Sequence, residues 1–539
     1  INYMYHLQSE MDEAEALLQH SQDEDGEPIK VHESTPKFIG LPVSTVSIII
    51  VEFCERFAFY GSSLCFTIYM LQMLNLSYEA VDGVQNGFMM WSYFCALIGG
   101  YMGDSSFGKV KTILLFATTY LFGLTMLTVS ALPFAFQNYP DDPSSVMAYG
   151  GFFIALFLIG MGTGGIKSNV SVLVADQIDD PAEVERAFRY FYWSINAGAL
   201  LGQLIVPMLH HFGPFMTDKF GARQGSSFWI SYLAPTFLFI VGISVFVYGI
   251  PTYSEHIPTK DSMTVRSLKI IRKAFRNRKL TSEQPCSFLD RALLFDGTSP
   301  RPSQDDIDVV TDLKEVAHTC KIFLVFPIYW LLYNQMQTSF IQQGMQMQTP
   351  SWLTADQLNI IDPLCILILI PAFDSVIFPA LRRRGIHLGF IARISIGFTV
   401  SSSALLYSAF LQYKIDAEGS FIDGIYKPTV PVEERTSIFQ QIPPYALIAV
   451  SEIFASVTAL ELSYSQAPKS MKSVVMSLFL LTNAAASLLG IFVAPFMGPQ
   501  NLFYAFLSLG AIMIVFAVFF FFLFRNHIAP SRAAPQHVL

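Results

Sequence analysis

Long apolar runs separated by short polar segments dominate the pattern of this chain. A helix that crosses a bilayer core about 30 Å thick needs roughly 20 apolar residues, and runs of that length recur from residue 44 onwards. Twelve such runs cover residues 44–73, 83–103, 110–134, 148–174, 188–209, 226–250, 319–344, 357–381, 387–412, 444–466, 472–496 and 501–524. We therefore predict an all-α integral membrane protein with twelve transmembrane helices, because uninterrupted runs this long exclude a membrane β-barrel.

A polar stretch at residues 251–317 separates the first six predicted spans from the last six. Its pattern predicts an amphipathic helix from Val265 to Phe275, followed by a disordered part around Gly297–Asp306. The predicted domains are an acidic N-terminal tail (1–43), a six-helix bundle (44–250), a central loop (251–317), a second six-helix bundle (318–525) and a C-terminal tail (526–539). Two such bundles are typical of carriers that work by alternating access around a site at the midplane.

The composition excludes several classes of function. Hydrophobic residues make up 52% of the 539 residues and charged residues 14%, whereas an average soluble domain has about 25% charged residues. A soluble enzyme, a nucleic-acid binder or a disordered scaffold would need more polar surface than this chain has. The net charge of −9 comes mostly from eight acidic residues in the first 28, which include no lysine or arginine, so it carries no information about a substrate.

Lysine and arginine residues cluster in alternate connections between the predicted spans, which predicts the orientation by the positive-inside rule. The basic connections contain Lys109, Lys111, Arg186, Arg189, the central loop, Arg382, Arg383, Arg384, Lys469 and Lys472. Both termini are therefore predicted to be cytoplasmic. Asn75 of the sequon Asn75-Leu76-Ser77 then lies in the first outer loop and is a candidate for glycosylation, whereas Asn169, in a second sequon, lies within a predicted span and should not be modified.

The acidic tail contains a pattern, Glu13-Ala14-Glu15-Ala16-Leu17-Leu18, that fits an acidic dileucine signal. A sorting adaptor that reads Glu13, Leu17 and Leu18 is one interpretation, and an ordinary amphipathic tail is the other. The plasma membrane is the favoured location, with a lysosomal or vacuolar membrane as the alternative. An acidic exterior or an acidic lumen could each supply a proton gradient.

The cysteines and histidines give no sign of a cofactor. None of the six cysteines (Cys54, Cys65, Cys95, Cys286, Cys320 and Cys365) shows CxxC spacing, so we predict small apolar fillers and neither a disulfide framework nor a zinc site. The histidines His210, His211, His318 and His387 lie at helix ends, where we expect them to be solvated. Carboxylates, and not imidazoles, would then carry any driving protons.

Ionisable residues inside the predicted spans are the main candidates for function. The clearest are Glu52, Glu55, Arg56, Lys167 and Glu452, with Asp362, Asp374 and Glu461 as further candidates. Each costs several kcal/mol in mid-membrane, roughly 2.5–3.5 on insertion scales, so a functional role is the default hypothesis. Glu52, Arg56 and Tyr60 share one helix face at i, i+4 and i+8. Protonation of an acid would free a cation for an anionic ligand, although a static salt bridge between helices is the structural alternative.

Glycine-rich sequence precedes the lysine of the fourth predicted span. The segment reads Gly160-Met161-Gly162-Thr163-Gly164-Gly165-Ile166 and ends beside Lys167. Small residues allow helices to approach closely, which accounts for the glycines. A lysine at this depth requires an acid or an anionic ligand as partner.

The motifs resemble the proton-coupled oligopeptide transporter family of the major facilitator superfamily over about residues 44–525. The segment Glu52 to Tyr60 matches the family's ExxERFxYY pattern, with Phe59 in place of the first tyrosine. Gly99 to Asp104, continuing through Gly108 and Lys109, matches the signature between helices two and three. Phe191 to Gly198 matches FYxxINxGS, with Ala199 as its last residue. The C-terminal half is most similar to fungal di- and tripeptide carriers.

The resemblance implies a major facilitator fold, a role in proton-driven symport of di- and tripeptides, and roles for particular residues. Arg56, Tyr60 and Lys167 would receive the peptide carboxylate, and Asn196, Asp362 and Glu452 the α-amino group. The same resemblance implies that Glu52 and Glu55, with Arg56 and Lys167, couple protons, that Phe479 lines a side-chain pocket, with Tyr93 as a weaker candidate, and that Asp104, Gly108 and Lys109 belong to the gating signature.

Two positions depart from the family's pattern. Asn334, which we also count among the candidate substrate-binding residues, stands where many members have an acid, so a familiar gate salt bridge is absent or is made elsewhere. Asp362 stands where several members have asparagine. The same scaffold also carries nitrate and histidine, and a transporter-like sensor is a second alternative. The chain keeps both cationic residues for a peptide carboxylate, Arg56 and Lys167, and the acid Glu452 for an amino group, which favours peptides. An enzyme is the least favoured interpretation, since no nucleophile–base pair, metal cluster or phosphate loop occurs in a suitable context.

Overall fold

The computed structural model describes residues 37–38, 40–104, 107–136, 146–178, 180–212, 216–217, 223–224, 227–254, 263–279, 287–294, 303–385, 388–422, 425–466, 468 and 471–525. The dileucine pattern at Glu13, Leu17 and Leu18 and the C-terminal tail lie outside these residues. A two-residue antiparallel pair, β1 (Lys37–Phe38) and β2 (Leu41–Pro42), precedes the first helix in the sequence.

The N-terminal half consists of six long helices. They are α1 (Val43–Gln72), α2 (Tyr78–Gly103), α3 (Lys109–Ser130), α4 (Val146–Ala175), α5 (Pro181–Phe212) and α6 (Phe228–Gly249). A short antiparallel pair, β3 (Met216–Thr217) and β4 (Arg223–Gln224), lies between α5 and α6 in the sequence. Helix α4 packs against both α2 and α3.

The central segment and the C-terminal half are helical with several breaks. Their helices are α7 (Met263–Arg276), α8 (Gln304–Cys320), α9 (Phe326–Asn334), α10 (Ser339–Gly344), α11 (Ile361–Ala372), α12 (Phe378–Arg383), α13 (Phe390–Glu418), α14 (Ile442–Glu452), α15 (Thr458–Gln466), α16 (Lys472–Val493) and α17 (Leu502–Phe524). The hairpin of β5 (Gly419–Ile422) and β6 (Ile425–Pro428) follows α13. Helix α13 packs on α17, and the halves meet where α2 packs on α16 and α5 on α11.

Nine helical stretches among the described residues are long and apolar enough to cross a membrane. They begin at Lys109, Val146, Phe228, Gln304, Ala355, Phe390, Ile438, Ser477 and Pro499. The long helices α1, α2 and α5 fall outside this group, and they carry ionisable residues such as Glu52, Asp82 and Arg189. The structure therefore confirms a multi-pass helical membrane protein, while the number of spans stays a prediction.

The central segment confirms one prediction and corrects another. Helix α7 covers the predicted amphipathic helix, but residues 303–306, expected to be disordered, open helix α8 instead. The side chain of Ser303 accepts a hydrogen bond from the Asp306 backbone, and the Asp306 carboxylate accepts one from the Ser303 backbone, each at 3.2 Å. This reciprocal capping box satisfies backbone donors that a helix start otherwise leaves free. Residues 295–302 lie outside the described part of the chain.

The glycines of α4 allow close approach to its neighbours, as the sequence predicts. A Cβ built on Gly164 would lie 2.3 Å from the Ser92 carbonyl oxygen and 2.9 Å from the Ala96 nitrogen. Backbone atoms cannot move aside as a flexible side chain can. In contrast, a Cβ on Gly87 of α2 would meet nothing within 4 Å.

We expect Gly164→Ala to lower the free energy of unfolding by about 1–3 kcal/mol, because overpacking displaces one helix from the other. Gly87→Ala should leave it unchanged or raise it by about 0.5–1 kcal/mol, since alanine lowers the entropy of the unfolded chain. Thermal unfolding of both variants in the same detergent measures the difference. Equal melting temperatures would contradict the assigned contact between α2 and α4.

Candidate substrate site

A cavity of about 230 Å³ lies between the two halves of the chain. Its lining comes from α1, α2 and α4 on one side and from α9, α14, α15 and α16, with the turns beside them, on the other. The lining residues include Arg56, Phe59, Tyr60, Met89, Tyr93, Thr163, Lys167, Trp330, Tyr333, Asn334, Gln337, Glu452, Ser456, Phe479 and Asn483. Six predicted substrate-site residues therefore face one space, namely Arg56, Tyr60, Lys167, Asn334, Glu452 and Phe479.

Arg56 is held by two acids of its own helix. Its Nε lies 3.1 Å from Glu52 Oε1, one turn away, and its Nη2 contacts Glu55 Oε2. All three residues are at least 96% buried. Thr163 of α4 donates a hydrogen bond of 2.6 Å to Glu55 Oε1, so the triad also ties α1 to α4. Sequence analysis predicted the ion-pair network but gave no signal for Thr163.

Lys167 adds a second cation to this end of the cavity. Its Nζ lies 4.7 Å from the centroid of the Tyr93 ring, a distance at which the ring face attracts a cation. Among the described residues no carboxylate oxygen lies within salt-bridge distance of it. Arg56 and Lys167 together make this end, lined also by Tyr60, the positive pole of the cavity.

Glu452 forms the opposite, negative pole with Tyr333 and Asp362 behind it. The Tyr333 hydroxyl donates to Asp362 Oδ2 at 3.4 Å and also contacts the Glu452 carboxylate. Glu452 Oε2 and Asp362 Oδ1 have no hydrogen-bond partner in the part of the chain described. A buried carboxylate oxygen without a donor is costly, so this pole is suited to a ligand that brings hydrogen-bond donors.

The backbone at the negative pole departs from α-helical geometry. Glu452 is the last residue of α14, and a π-helical turn, Ile453–Val457, follows it directly. Such turns insert one extra residue and often occur at functional sites. The wider turn places Glu452 and Ser456 side by side in the cavity lining.

A helix break also shapes the cavity lining around Gln337. Between α9 and α10 the chain narrows to a 3₁₀ turn, Gln335–Gln337, and Thr338 leaves helical geometry altogether. The freed carbonyl of Gln337 accepts a 2.7 Å hydrogen bond from the Thr67 hydroxyl of the other half. Irregular backbone of this kind is tolerated in a membrane where it lines a cavity or finds a partner.

Aromatic side chains form one wall of the cavity. Phe479 is 2% exposed and packs against Phe323, Phe326 and Trp330. The Trp330 Nε1 donates to the Thr482 hydroxyl at 3.0 Å, which fixes the indole beside Phe479. The structure thus places both Phe479 and the weaker candidate Tyr93 in the lining.

Other predicted residues lie elsewhere. Asn196 and Asp362 are buried but do not line the cavity, and the Asn196 amide donates to the Tyr192 carbonyl of its own helix at 2.9 Å. Glu461 pairs with Arg393 at 3.1 Å and is half exposed, outside the cavity. The side chain of Asp374 is outside the described part of the structure.

The predicted signature residues lie at the end of the N-terminal half where α2 and α3 are joined. Lys109 pairs with Asp176 at 2.5 Å, linking the start of α3 to the end of α4, while Asp104 caps α2. Gly108 has φ +86°, a conformation that favours glycine. These contacts give the motif a structural role, and its part in gating stays a prediction.

Asp82 is a residue that sequence analysis missed. It is 1% exposed and lies beside the side chain of Thr338, at the break after α9. Its position was assigned to the loop before the second predicted span. The available signal was the helical spacing of Asp82, Gln85, Met89 and Tyr93, which places the acid on the face that reaches the cavity.

Hydrogen bonds join the two halves at the end where α1 and α5 finish. Gln85 Nε2 donates to Gln337 Oε1 at 3.3 Å, and the Nε2 of His211 lies 2.6 Å from the Ser351 carbonyl oxygen. His210 is 4% exposed, with Nε2 3.4 Å from Asp356 Oδ2. The prediction that His210 is solvated is therefore wrong, because the turn Ala355–Ile360, which leads into α11, covers this helix end.

The two sequons differ in accessibility. Asn75 lies exposed in the turn between α1 and α2, and its φ of +50° is one that asparagine tolerates. Ser77 caps α2 by accepting a hydrogen bond from the Ala80 backbone at 3.2 Å. Asn169 is buried and donates to the carbonyl oxygens of Gly99 and Gly165, both at 2.9 Å. Glycosylation at Asn75 stays a prediction.

Two helical halves with a polar cavity between them, positive at one end and negative at the other, define a multi-pass membrane carrier. Residues 110–515 match the profile of the POT family, and the chain belongs to that family. It is 32% identical to "Probable peptide transporter ptr2" of Schizosaccharomyces pombe over 526 residues, covering 91% of this chain and 79% of that one. It is 30% identical to "Peptide transporter PTR2" of Saccharomyces cerevisiae, covering 94% and 83%.

Solved structures give the same result. The POT family transporter PepTSo is 25% identical, with a TM-score of 0.73 over 91% of this chain and 99% of that one. An auto-inhibited POT family peptide transporter is also 25% identical, with a TM-score of 0.71 over 92% and 99%. The predicted major facilitator fold is therefore confirmed. The named relatives are transporters and not enzymes.

Proposed function

We propose that this protein carries di- and tripeptides across a membrane by alternating access, driven by a proton gradient. The observation that carries this proposal is the pair of opposite poles in one cavity, with Arg56 and Lys167 at one end and Glu452 at the other. A peptide zwitterion has a carboxylate at one end and an ammonium at the other. The aromatic wall beside Phe479 would accept side chains without requiring a particular polar group.

The contacts of Arg56 support a route for proton coupling. Glu52 and Glu55 hold the guanidinium in the resting arrangement. A proton on either acid cancels one of the two attractions, so Arg56 becomes available to a peptide carboxylate in the cavity. The peptide then bridges Arg56 or Lys167 and Glu452 and draws the halves together. Deprotonation on the opposite side restores the ion pairs and releases the peptide.

The conformational step requires the halves to separate at one end and close at the other. In this structure they are joined where α1 and α5 finish, through contacts such as Thr67 with Gln337. If both termini are cytoplasmic, as the basic connections predict, this joined end is the outer one. Peptide and proton must bind the occluded state more tightly than the open states, because equal affinity for all states shifts no equilibrium.

The proposal includes a plasma-membrane location, with a lysosomal or vacuolar membrane as the alternative. No observation on the described residues favours nitrate, histidine or a signalling role. The two yeast relatives are named as peptide transporters, which supports a peptide substrate.

The test is uptake of a labelled dipeptide into proteoliposomes that contain the purified full-length protein. We expect uptake with an inward proton gradient and little without it. A protonophore should remove the difference. Cooperative thermal unfolding shows that the wild-type protein is folded. If such protein shows no gradient-dependent uptake of any of several dipeptides, peptide symport is the wrong assignment.

A further inference from the structure

Three metal-ligating side chains from three helical segments meet at the joined end of the molecule. Cys65 lies in α1, His210 near the end of α5, and Asp356 at the start of the segment that leads into α11. Their ligand atoms lie within 4.8 Å of one another, and all three residues are buried. Cys65 and His210 belong to the N-terminal half and Asp356 to the C-terminal half, so the cluster bridges the halves outside the substrate cavity.

The geometry of the cluster is close to that of a tetrahedral metal site. Zinc bonds of about 2.0–2.3 Å to nitrogen, oxygen and sulfur place neighbouring ligand atoms about 3.3–3.6 Å apart. His210 Nε2 and Asp356 Oδ2 are already 3.4 Å apart. The His210 ring is stacked on Phe228 with centroids 4.5 Å apart, which fixes the direction of its ring nitrogens. The Cys65 sulfur, within 4.8 Å of both atoms, completes the set of three donors.

Asp356 supplies an independent sign that this cluster suits a cationic ligand. The residue is fully buried, and its Oδ1 has no hydrogen-bond partner among the described residues. An unpaired buried carboxylate oxygen is costly. The other oxygen, Oδ2, faces His210 across the joined halves.

The cluster borders a second cavity at His210. This cavity, of about 260 Å³, is lined by His210 together with Gln72, His211, Met345 and Thr354. It could supply a water molecule as fourth ligand. A catalytic-type or exchangeable zinc site keeps such an open position, in contrast to a closed structural site.

We propose that Cys65, His210 and Asp356 form a site for a zinc-type divalent cation that holds the two halves together. A divalent cation with one thiolate, one carboxylate and one neutral imidazole has no net charge, which suits a buried position. Imidazole and thiolate donors favour zinc over magnesium or calcium, which prefer all-oxygen sets. This departs from the expectation that Cys65 is only an apolar filler.

Binding has a mechanical consequence. Separation of the halves at this end would pull Asp356 away from Cys65 and His210, so the cation stabilises the closed arrangement and opposes alternating access. Zinc should therefore act as a brake on the carrier. This consequence depends on the proposed transport function, whereas binding itself does not.

Cobalt(II) tests binding directly on the purified full-length protein in detergent. We expect a thiolate-to-cobalt charge-transfer absorption that zinc displaces. Cys65→Ser should remove that absorption, while the matched Cys54→Ser variant, one buried cysteine earlier on the same helix, should keep it. His210→Gln and Asp356→Asn should weaken cobalt binding at least tenfold. Absence of the absorption in folded wild type, or its persistence in Cys65→Ser, would overturn the proposal.

The second arm is dipeptide uptake with zinc on both faces of the proteoliposome, so that orientation does not matter. We expect zinc to slow uptake at least tenfold, a chelator to restore it, and Cys65→Ser to take up peptide with little sensitivity to zinc. Equal zinc inhibition in Cys65→Ser and Cys54→Ser would contradict the bridging role. A wild type that binds cobalt at Cys65 without taking up any peptide would leave the metal site standing and contradict the transport function instead.

Discussion

Arg56→Ala should abolish gradient-driven dipeptide uptake in proteoliposomes. The substitution removes the cation that would leave Glu52 and Glu55 to bind a peptide carboxylate, so both the coupling step and the positive pole lose their central group. It also leaves two buried acids without their partner. Removal of one member of a buried ion pair typically costs about 3–5 kcal/mol of stability. Initial uptake rates and thermal unfolding of the same preparation measure the two effects.

Two controls separate function from folding. Arg393→Ala removes an arginine whose partner, Glu461, is half exposed and lies outside the cavity; we expect uptake near the wild-type rate and a stability loss under about 1 kcal/mol. The triple variant Glu52→Gln, Glu55→Gln, Arg56→Ala removes the unpaired charges as well. It should recover most of the stability and still fail to transport. Recovery of uptake in that variant would show that the triad is only a structural ion pair.

The helices could be predicted closely because apolar length is a local property of the sequence. The fourth span, predicted at 148–174, is α4 at Val146–Ala175, and the third, predicted at 110–134, corresponds to α3 at Lys109–Ser130. The poles of the cavity could also be predicted, since buried charges at Arg56, Lys167 and Glu452 are too costly to be incidental. These inferences need only the chain itself and the thickness of a bilayer.

Contacts between the halves could not be predicted in the same way. His210 looks like a solvated helix end until the segment around Asp356, almost 150 residues later, covers it. The sequence at the break after α9 contains no proline or glycine that would predict it. The Gln337 carbonyl freed by this break accepts a hydrogen bond from Thr67 of the first helix. Asp82 falls outside the second predicted span because that span starts at residue 83, five residues after α2 begins at Tyr78. For His210 and for Gln337 the decisive neighbour is distant in sequence.

Glu452→Gln should weaken uptake of a dipeptide with a free amino group by about ten- to a hundredfold. The estimate follows from the loss of one hydrogen bond to a charged group, about 1.5–3 kcal/mol, at about 1.4 kcal/mol for each factor of ten. Glutamine keeps the size of the side chain but removes the charge that faces the ammonium. The Glu452 carboxylate has an oxygen without a partner among the described residues, so stability should change little.

Comparison of two substrates makes this prediction specific to the amino end. Wild type should prefer the free dipeptide over its N-acetylated form, because acetylation removes the positive charge that Glu452 receives. In Glu452→Gln that preference should shrink by the same ten- to hundredfold. Competition for uptake of the labelled free dipeptide gives the ratio for each variant in one assay.

Glu461→Gln is the matched control, since it makes the same change nine residues along the chain at a side chain that is paired with Arg393 outside the cavity. It should keep the wild-type preference. If Glu452→Gln lowers uptake of both peptides equally, the carboxylate acts in conformational change or coupling and does not bind the amino group. The negative pole would then have to be assigned to Asp362, which reaches the same Tyr333 hydroxyl from behind the cavity wall.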